Sequence, residues 1–326
     1  MKISDSAIER LRAAAEFPDL DGTRYRLVGK LGQGGMSVVY RIEDSVLDRQ
    51  VAMKVANVPD GNSDLAARLL REAKIIAQLE HPGIVPVHDV GTLPDGRVYY
   101  TMKLVQGERL DEYAIRMRTI PERLRLLQRI CEAVAFAHAH SVLHRDLKPQ
   151  NVMVGPFGEV LVMDWGLSKI VHEAESAASI VTTPSQNVTA QTTAHGAVLG
   201  TPGYMAPEQE RGEVAAISER TDIFSLGAIM QFLMRGLAES SSHVPRARVL
   251  TAIAQKATAE SPSARYQSVA DLSADLAAYL DGLPVEAYPE GTLGALRRWA
   301  TRNRVWLLLV LAYLVMRTIL ILWRRP

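Results

Sequence analysis

Hydrophobic and polar residues alternate in the manner of β-strands in the N-terminal part of the chain. The alternating segments are 25–28, 37–42, 51–55 and 98–102. Because successive side chains of a strand point to opposite faces, these segments predict a small sheet with one buried face. Between the third and fourth segments, apolar residues of 65–79 recur at helical spacing, which predicts one amphipathic helix.

Helical spacing dominates from residue 110 onward. The predicted helices cover about 122–140, 222–235, 247–258 and 268–281. Strands followed by a run of helices indicate an α+β fold with a small β-rich lobe and a larger, mostly helical lobe. The pattern changes at 105–107, so we expect the hinge between the lobes there.

Residues 305–323 form a nearly unbroken apolar stretch. At 1.5 Å per residue, about 19 helical residues reach across the ~30 Å hydrocarbon core of a bilayer. Trp306 and Trp323 lie near its ends, where indole rings favour the interface, and Arg317 is close enough to one end to snorkel. The alternative, a buried helix of the folded domain, would carry a polar face. We therefore predict a C-terminal transmembrane helix.

Arginines flank this stretch on both sides. The larger cluster precedes it and consists of Arg297, Arg298, Arg302 and Arg304. Because positive residues favour the cytoplasmic side, we expect the chain before the span to be cytoplasmic in a single-pass protein of the inner (plasma) membrane. The lipid bilayer is thus an expected partner.

Composition excludes several classes of protein. A formal net charge of +1 argues against a nucleic-acid partner, because such binding needs a basic domain. Cys131 is the only cysteine, so no internal disulfide can form, and its helical apolar surroundings predict a buried, inert thiol. Residues 1–6 contain no apolar run, so no signal peptide is expected there, and residues 1–24 are interpreted as a short helical or loose lead.

The segment 144–151, His-Arg-Asp-Leu-Lys-Pro-Gln-Asn, carries the strongest chemical signal. Its carboxylate, ammonium and carboxamide are spaced so that all three can meet one phosphoryl group. Asp146 can accept the proton of an attacking hydroxyl, Lys148 can neutralise phosphate charge, and Asn151 can ligate magnesium. The alternative is a polar loop between two apolar strands.

Further parts of a phosphoryl-transfer site occur in order on both sides of this segment. They are the glycine-rich stretch 31–39, the strand Val51-Ala52-Met53-Lys54, the helical segment Leu70-Arg71-Glu72, and Asp164-Trp165-Gly166. A backbone without Cβ atoms can fold tightly over a triphosphate and present N–H groups to it. The order of these motifs argues for function more strongly than any one of them.

Over about residues 25–281 these motifs resemble the serine/threonine protein kinases of the eukaryotic-like (Hanks) type found in bacteria. The resemblance implies a bilobal protein-kinase fold, with an N-lobe at 25–105 and a C-lobe at 106–281. A basic juxtamembrane linker at 282–304 would follow. The implied reaction is transfer of the ATP γ-phosphate to protein Ser/Thr hydroxyls, with ATP and Mg²⁺ bound.

The resemblance also assigns roles to individual residues. Asp146 and Lys148 would be catalytic, and Asn151 and Asp164 would hold Mg²⁺. The implied nucleotide-binding positions are Leu31, Gly32, Gly34, Gly35, Val39, Ala52, Lys54, Glu72, Met102, Lys103 and Val105. Lys54 would hold the α- and β-phosphates and pair with Glu72, and the backbone of Lys103 and Val105 would meet the base. The chain departs from the family pattern at Ser37, in place of a third glycine, and at Trp165, in place of phenylalanine.

The stretch between Asp164 and Glu208 is long for the activation segment of this family, and 175–193 is rich in hydroxyls. Arg145 could pair with a phosphothreonine there and order the segment. We expect autophosphorylation at Thr192 or Thr193, with Thr189, Thr182 and Thr183 as weaker candidates. For the part before about residue 186, an insertion tolerated in a surface loop is an equally good interpretation.

Four positions are interpreted as supporting ones by resemblance. Thr201 would contact the catalytic residues, and Glu208 would form a buried ion pair with Arg265. Asp222 would cap its helix and support the segment 144–151, the catalytic loop of the resemblance. The segment 237–248 is shorter than the family's usual insert, which leaves substrate docking less defined than ATP turnover.

The sequence allows three functional interpretations. The complete set of ligands favours an active serine/threonine protein kinase in membrane-associated signalling. A nucleotide-binding pseudokinase or scaffold at the membrane is the alternative from another class. A small-molecule phosphotransferase of related fold is disfavoured by Lys148 and by the segment 200–208. A homodimer is a further expectation.

Overall fold

The fold was analysed in a computed structural model of the chain. It describes residues 17–34, 37–57, 64–165, 169–170, 203–235, 247–289 and 303–323. Predictions for Gly35, Thr182, Thr183, Thr189, Thr192, Thr193 and Thr201, and for 237–246 of the shortened segment, lie outside the described residues.

The N-lobe is built on a five-stranded antiparallel sheet with the order β1-β2-β3-β5-β4. Its strands are β1 (Tyr25–Gln33), β2 (Ser37–Asp44), β3 (Arg49–Ala56), β4 (Val87–Thr92) and β5 (Val98–Lys103). Four correspond to the alternating segments of the sequence. The prediction missed β4, an edge strand whose side chains alternate between half-buried and exposed and so give no strong apolar period.

One helix, α1 (Asp64–Ala77), packs against this sheet. Its buried face includes Leu69, Ala73 and Ile76, at the helical spacing predicted from the sequence. Glu72 lies on the same face and is 5% exposed, so the sequence pattern that buries the helix also turns one carboxylate inward.

The C-lobe is mostly helical. Its helices are α2 (Leu110–Tyr113), α3 (Ile120–Ala139), α4 (Pro207–Glu210), α5 (Glu219–Met234), α6 (Ala247–Ala257) and α7 (Val269–Leu280). Short strands complete it: β6 (Glu108–Arg109), β7 (Val142–Leu143), β8 (Val152–Val154), β9 (Val160–Val162) and β10 (Lys169–Ile170). Helices α3, α5, α6 and α7 pack on one another around a shared apolar core.

Backbone contacts join the two lobes beside the cleft, the space between the N-lobe and the C-lobe. The Val162 N–H donates to the Gly83 carbonyl at 2.8 Å, and Ile84 forms a parallel bridge with Val162. At the hinge, a side chain on Gly107 would collide with the backbone of Val154, so only glycine allows this close approach. The architecture is therefore a bilobal protein-kinase fold with a β-rich N-lobe and a helical C-lobe.

The helix that contains Asp222 begins earlier than predicted. Its N-cap is Ser218, whose N–H donates to the Thr221 hydroxyl at 3.1 Å. The prediction that Asp222 caps this helix is wrong. Asp222 lies in the first turn, where its fully buried carboxylate faces the catalytic loop instead.

A last helix, α8, spans Arg304–Trp323, and its described side chains are mostly apolar and exposed. Among the residues that the structure describes, no helix reaches the length and apolar character needed to cross a bilayer. The predicted transmembrane helix over 305–323 is not supported by this finding.

Candidate active site

A buried carboxylate, that of Asp222, holds the catalytic loop by hydrogen bonds to its backbone. Asp222 accepts the N–H of His144 at 2.9 Å and that of Arg145 at 2.8 Å. Burial raises the pKa of Asp222, but the hydrogen bond and charge of His138 and the loop N–H groups lower it on balance. The His138 bond, Nε2 to Oδ2 at 2.8 Å, was not predicted. The support expected of Asp222 is confirmed.

The three predicted residues of the loop meet at one carboxylate oxygen. Oδ2 of Asp146 accepts from Lys148 Nζ at 2.8 Å and from Asn151 Nδ2 at 3.1 Å. A second bond, from Asn151 Nδ2 to the Asp146 carbonyl at 2.8 Å, closes the loop. Oδ2 of Asp146 therefore receives two donors, one from each of the other two predicted residues.

A second cluster forms between the sheet, helix α1 and the start of the activation segment. Lys54 Nζ lies 2.8 Å from Glu72 Oε1 and 3.0 Å from Asp164 Oδ1. Burial lowers the pKa of Lys54, but the charges of Glu72 and Asp164 and the hydrogen bond to Glu72 raise it on balance, so the ammonium stays charged. Burial raises the pKa of Asp164, and the charge and bond of Lys54 bring it below its ordinary value.

Tyr100 belongs to this cluster and was missed by sequence reasoning. Its hydroxyl donates to Glu72 Oε1 at 3.0 Å, and its ring is 1% exposed. A signal existed in the strand pairing, because Tyr100 lies directly opposite Lys54 in the register of β3 and β5. That register could not be read without knowing that these two strands are neighbours.

The two predicted magnesium ligands lie on adjoining backbone segments. The Met163 N–H donates to the Asn151 carbonyl at 2.8 Å, which ties the residue before Asp164 to the catalytic loop. Asp164 has φ +59°, a strained conformation for a residue with a Cβ atom, and its carboxylate is 51% exposed. Of the described residues, no group of three or more His, Cys, Asp or Glu could hold a metal. One carboxylate and one carboxamide fit Mg²⁺, which takes few protein oxygens and completes its shell with phosphates and water.

Apart from Glu72 on α1, the predicted nucleotide-binding positions that the structure describes lie on β1, β2, β3 and β5 or just after β1 and β5. Ala52 and Met102 are buried and directly paired in the sheet. Gly32 pairs with Val39 where β1 and β2 converge, and the Gly34 N–H closes their turn by donating to the Ser37 carbonyl at 2.8 Å. Leu31 is 42% exposed beside this turn.

At the hinge, the structure restricts one expectation. The Lys103 N–H donates to the Pro86 carbonyl at 3.1 Å, so this amide is already used and does not meet a base. Only the carbonyl of Lys103 is left for the predicted contact. Val105, predicted to contribute its backbone as well, is half-buried next to it.

Trp165 fills the position predicted for an aromatic residue. Its ring is completely buried and lies 4.6 Å from that of His144, centroid to centroid. Its indole N–H donates to the Val162 carbonyl at 3.4 Å, a bond that phenylalanine could not make. The tryptophan thus packs the catalytic loop against the segment that carries Asp164.

The predicted buried ion pair of Glu208 and Arg265 is confirmed. Arg265 donates to the two oxygens of Glu208 at 2.7 and 2.8 Å, and both side chains are buried. Burial raises the pKa of Glu208, but the bonds and charge of Arg265 lower it below its ordinary value. The neighbouring Gln209 donates to the Arg145 carbonyl at 2.8 Å, a contact that the sequence did not reveal.

Comparison with known proteins agrees with this geometry. Residues 25–283 match the family described as "Protein kinase domain". The chain is 35% identical over 297 residues to serine/threonine-protein kinase PknD of Chlamydia felis, covering 80% of this chain and 31% of that protein. It is 34% identical over 299 residues to PknD of Protochlamydia amoebophila, covering 79% and 30%. The chain thus spans about a third of the length of these curated relatives.

A solved structure supports the fold alone. The crystal structure of the Mycobacterium tuberculosis PknI kinase domain aligns with a TM-score of 0.55 at 23% identity, covering 78% of this chain and 95% of that one. The family match covers most of the chain and includes both clusters of the cleft. The chain belongs to the protein kinase domain family.

Proposed function

We propose that this chain transfers the γ-phosphoryl group of ATP to serine and threonine hydroxyls of proteins. The observation that carries the proposal is the convergence of Lys148 and Asn151 on one oxygen of Asp146. Asp146 would take the proton of the acceptor hydroxyl while the hydroxyl oxygen bonds to the γ-phosphorus. The bond between the γ-phosphorus and the β-phosphate oxygen would break at the same time, releasing ADP.

The cluster on the N-lobe side would hold the nucleotide. Lys54 would contact phosphate oxygens while Glu72 keeps its ammonium in place, and Asn151 and Asp164 would hold Mg²⁺. When bound, the ion would neutralise charge on the phosphates. Catalysis of this kind consists of positioning and electrostatics.

The preference for serine and threonine rests on two supports. Lys148 follows the base by two positions, as in serine/threonine members of the family, and it contacts Asp146 in the fold. The curated relatives bear the name serine/threonine-protein kinase.

The first test is turnover of γ-labelled ATP by the full chain with magnesium. Asp146→Asn removes the base and keeps the shape, so label transfer to protein should be lost while ATP binding persists. If the wild type binds ATP and transfers no label, the nucleotide-binding scaffold replaces the kinase as the better hypothesis. Retention of full transfer by Asp146→Asn would contradict the assigned role of the base.

Autophosphorylation of the activation segment is a second part of the proposal. The Arg145 side chain is half-buried, and its Nε has no hydrogen-bond partner within the described residues. A phosphothreonine would supply the missing acceptor. Mass spectrometry of tryptic peptides should find phosphate on Thr192 or Thr193 in the wild type and not in Asp146→Asn; equal phosphate in both proteins would reject it.

Membrane association is a separate proposal. The apolar composition of Arg304–Trp323 and the arginines on either side support it, with the kinase domain on the cytoplasmic side. Expressed in bacteria, the full chain should stay with the membrane pellet after an alkaline carbonate wash, and a chain lacking 305–323 should not. Equal release of both would overturn it.

Homodimerisation stays a prediction, which light scattering of the full chain in detergent would test.

A further inference from the structure

Arg145, directly before the proposed base Asp146, has a left-handed backbone. Its φ is +70°, a conformation that a residue with a Cβ atom adopts only at a steric cost. Such a conformation persists where neighbouring groups over-determine it. The groups that hold Arg145 therefore also set the direction in which the next residue, Asp146, leaves the chain.

Two side chains from different elements bind the two polar backbone groups of Arg145. Asp222 Oδ1 accepts its N–H at 2.8 Å. Gln209 Nε2 donates to its carbonyl oxygen at 2.8 Å. Asp222 comes from α5, in the interior of the C-lobe, whereas Gln209 comes from α4, which follows the predicted activation segment.

Helix α4 holds the Gln209 amide firmly. The preceding residue, Glu208, is completely buried and bound by Arg265 through two hydrogen bonds. At its other end, Gln209 Oε1 accepts the Ala206 N–H at 3.3 Å, so both polar atoms of the amide are used. A side chain fixed in this way can transmit the position of its helix to the catalytic loop.

We propose that Gln209 is a positioning residue: it holds the Arg145 carbonyl and thereby keeps the Asp146 carboxylate directed at the hydroxyl to be phosphorylated. The inference rests on the proposed kinase activity. Loss of the bond should slow the transfer step and spare nucleotide binding, because the nucleotide-binding positions belong to other elements.

Two substitutions separate the two ends of the amide. Gln209→Ala removes both bonds. Gln209→Glu keeps an oxygen for the Ala206 N–H but places a carboxylate, which cannot donate, against the Arg145 carbonyl. The matched control is Gln267→Ala, because Gln267 Nε2 also donates to an arginine carbonyl, that of Arg265 at 2.9 Å, outside the catalytic loop.

The measurement is phosphorylation of a serine/threonine peptide library by the full chain, with kcat expressed per ATP-binding site counted by titration. We expect both Gln209 variants to lose about tenfold in kcat. Their KM for ATP should stay within about twofold of the wild type, and Gln267→Ala should match the wild type in both. A role in folding alone would lower the number of ATP-binding sites and leave kcat per site unchanged, which would overturn the inference.

A second readout does not need activity. Amide hydrogen exchange in the peptide that contains residues 143–147 should be faster in Gln209→Ala than in the wild type and in Gln267→Ala. Equal exchange in all three would overturn the inference. An active wild type with unaffected Gln209 variants would reject this inference alone. An inactive wild type whose loop still loosens in Gln209→Ala would reject the proposed kinase activity and keep the hydrogen-bonding role.

Discussion

Two buried ion pairs, one in each lobe, differ in what surrounds them. In the C-lobe, Arg265 and Glu208 are joined by two hydrogen bonds, and further guanidinium N–H groups bind backbone carbonyls. In the N-lobe, the Lys54 ammonium is bound by Glu72 and shared with Asp164, whose carboxylate is 51% exposed. The first pair is closed: both side chains are buried and hydrogen-bonded. The second pair is open, because it contacts a carboxylate that is half exposed.

This difference separates a structural ion pair from a functional one. Taking two charges out of water is compensated only where the geometry is excellent and the remaining donors are bound. The pair of Glu208 and Arg265 meets that condition and leaves no charge for a ligand. Lys54 faces one buried and one half-exposed carboxylate, so its cluster keeps a charged group in contact with the cleft, where a substrate can bind.

Breaking the pair at the cleft should have the largest effect. Lys54→Met removes the cation shared by Glu72 and Asp164, and we expect phosphoryl transfer from γ-labelled ATP to fall by about 10²–10³-fold, because a preorganised charge facing the phosphates is lost. Lys74→Met is the matched control, since Lys74 is an exposed lysine of α1, the helix that carries Glu72. Equal loss of turnover in both variants, or unchanged turnover in Lys54→Met, would contradict the functional role of the Lys54 pair.

Breaking the closed pair should act on stability instead. Arg265→Met leaves the Glu208 carboxylate buried without its cation, and the free energy of unfolding should fall by about 3–5 kcal/mol. Urea unfolding of the purified chain would measure it. Arg211→Met is the control: Arg211 Nε lies 2.6 Å from Glu213, but both side chains are about half exposed, so solvent screens the pair. A similar loss in the two variants would mean that burial does not distinguish them.

Much of the fold could be predicted because it depends on local pattern. The four predicted strands are found in the sheet, and the buried face of α1 follows from helical spacing alone. Among these four, burial alternates regularly only in β2, because β5 is buried on both faces and β1 is mostly exposed. The pair of Glu208 and Arg265 and the support by Asp222 followed from the resemblance and were found in the fold.

The remainder depends on which elements become neighbours. The bond from Tyr100 to Glu72 requires the register of β3 and β5, and the bond from Gln209 to Arg145 requires α4 to lie beside the catalytic loop. The cap of α5 was misplaced because Asp222 is an equally good capping residue by type, and only its burial below the loop shows its other use.

The contribution of the pair of Glu208 and Arg265 to stability should depend on pH. The pKa of Glu208 lies below its ordinary value of 4.5, in spite of burial, because Arg265 binds it. A carboxyl with a lowered pKa in the folded state stabilises the fold above its unfolded pKa and loses this contribution as the pH falls through the folded pKa. The difference in stability between the wild type and Arg265→Met should therefore be full at neutral pH and narrow below about pH 4.5.

Urea unfolding of the two proteins between neutral and acidic pH would check this expectation. Asp164 and Asp222 also have lowered pKa values, but both proteins contain them, so their contributions cancel in the difference. A difference that stays constant as the pH falls would show that Glu208 does not titrate through its pairing with Arg265.

The smallest effect should come from Tyr100→Phe, which removes one neutral donor from the open pair. Burial raises the pKa of Tyr100 well above its ordinary value, so the phenol keeps its proton and donates to Glu72. Glu72 Oε1 also receives the Lys54 ammonium, so no buried oxygen is left without a donor. We expect the free energy of unfolding to fall by about 1 kcal/mol in urea titrations.

The matched control for this last prediction is Tyr99→Phe. Tyr99 is the preceding residue of β5, and its side chain points to the other face of the sheet, where its ring packs edge-on against Tyr25 with centroids 5.9 Å apart. If Tyr99→Phe is as destabilising as Tyr100→Phe, the loss reflects the packing of β5 in general. If only Tyr100→Phe is destabilising, the bond to Glu72 is the cause, and even the open ion pair depends on a neutral donor from the sheet.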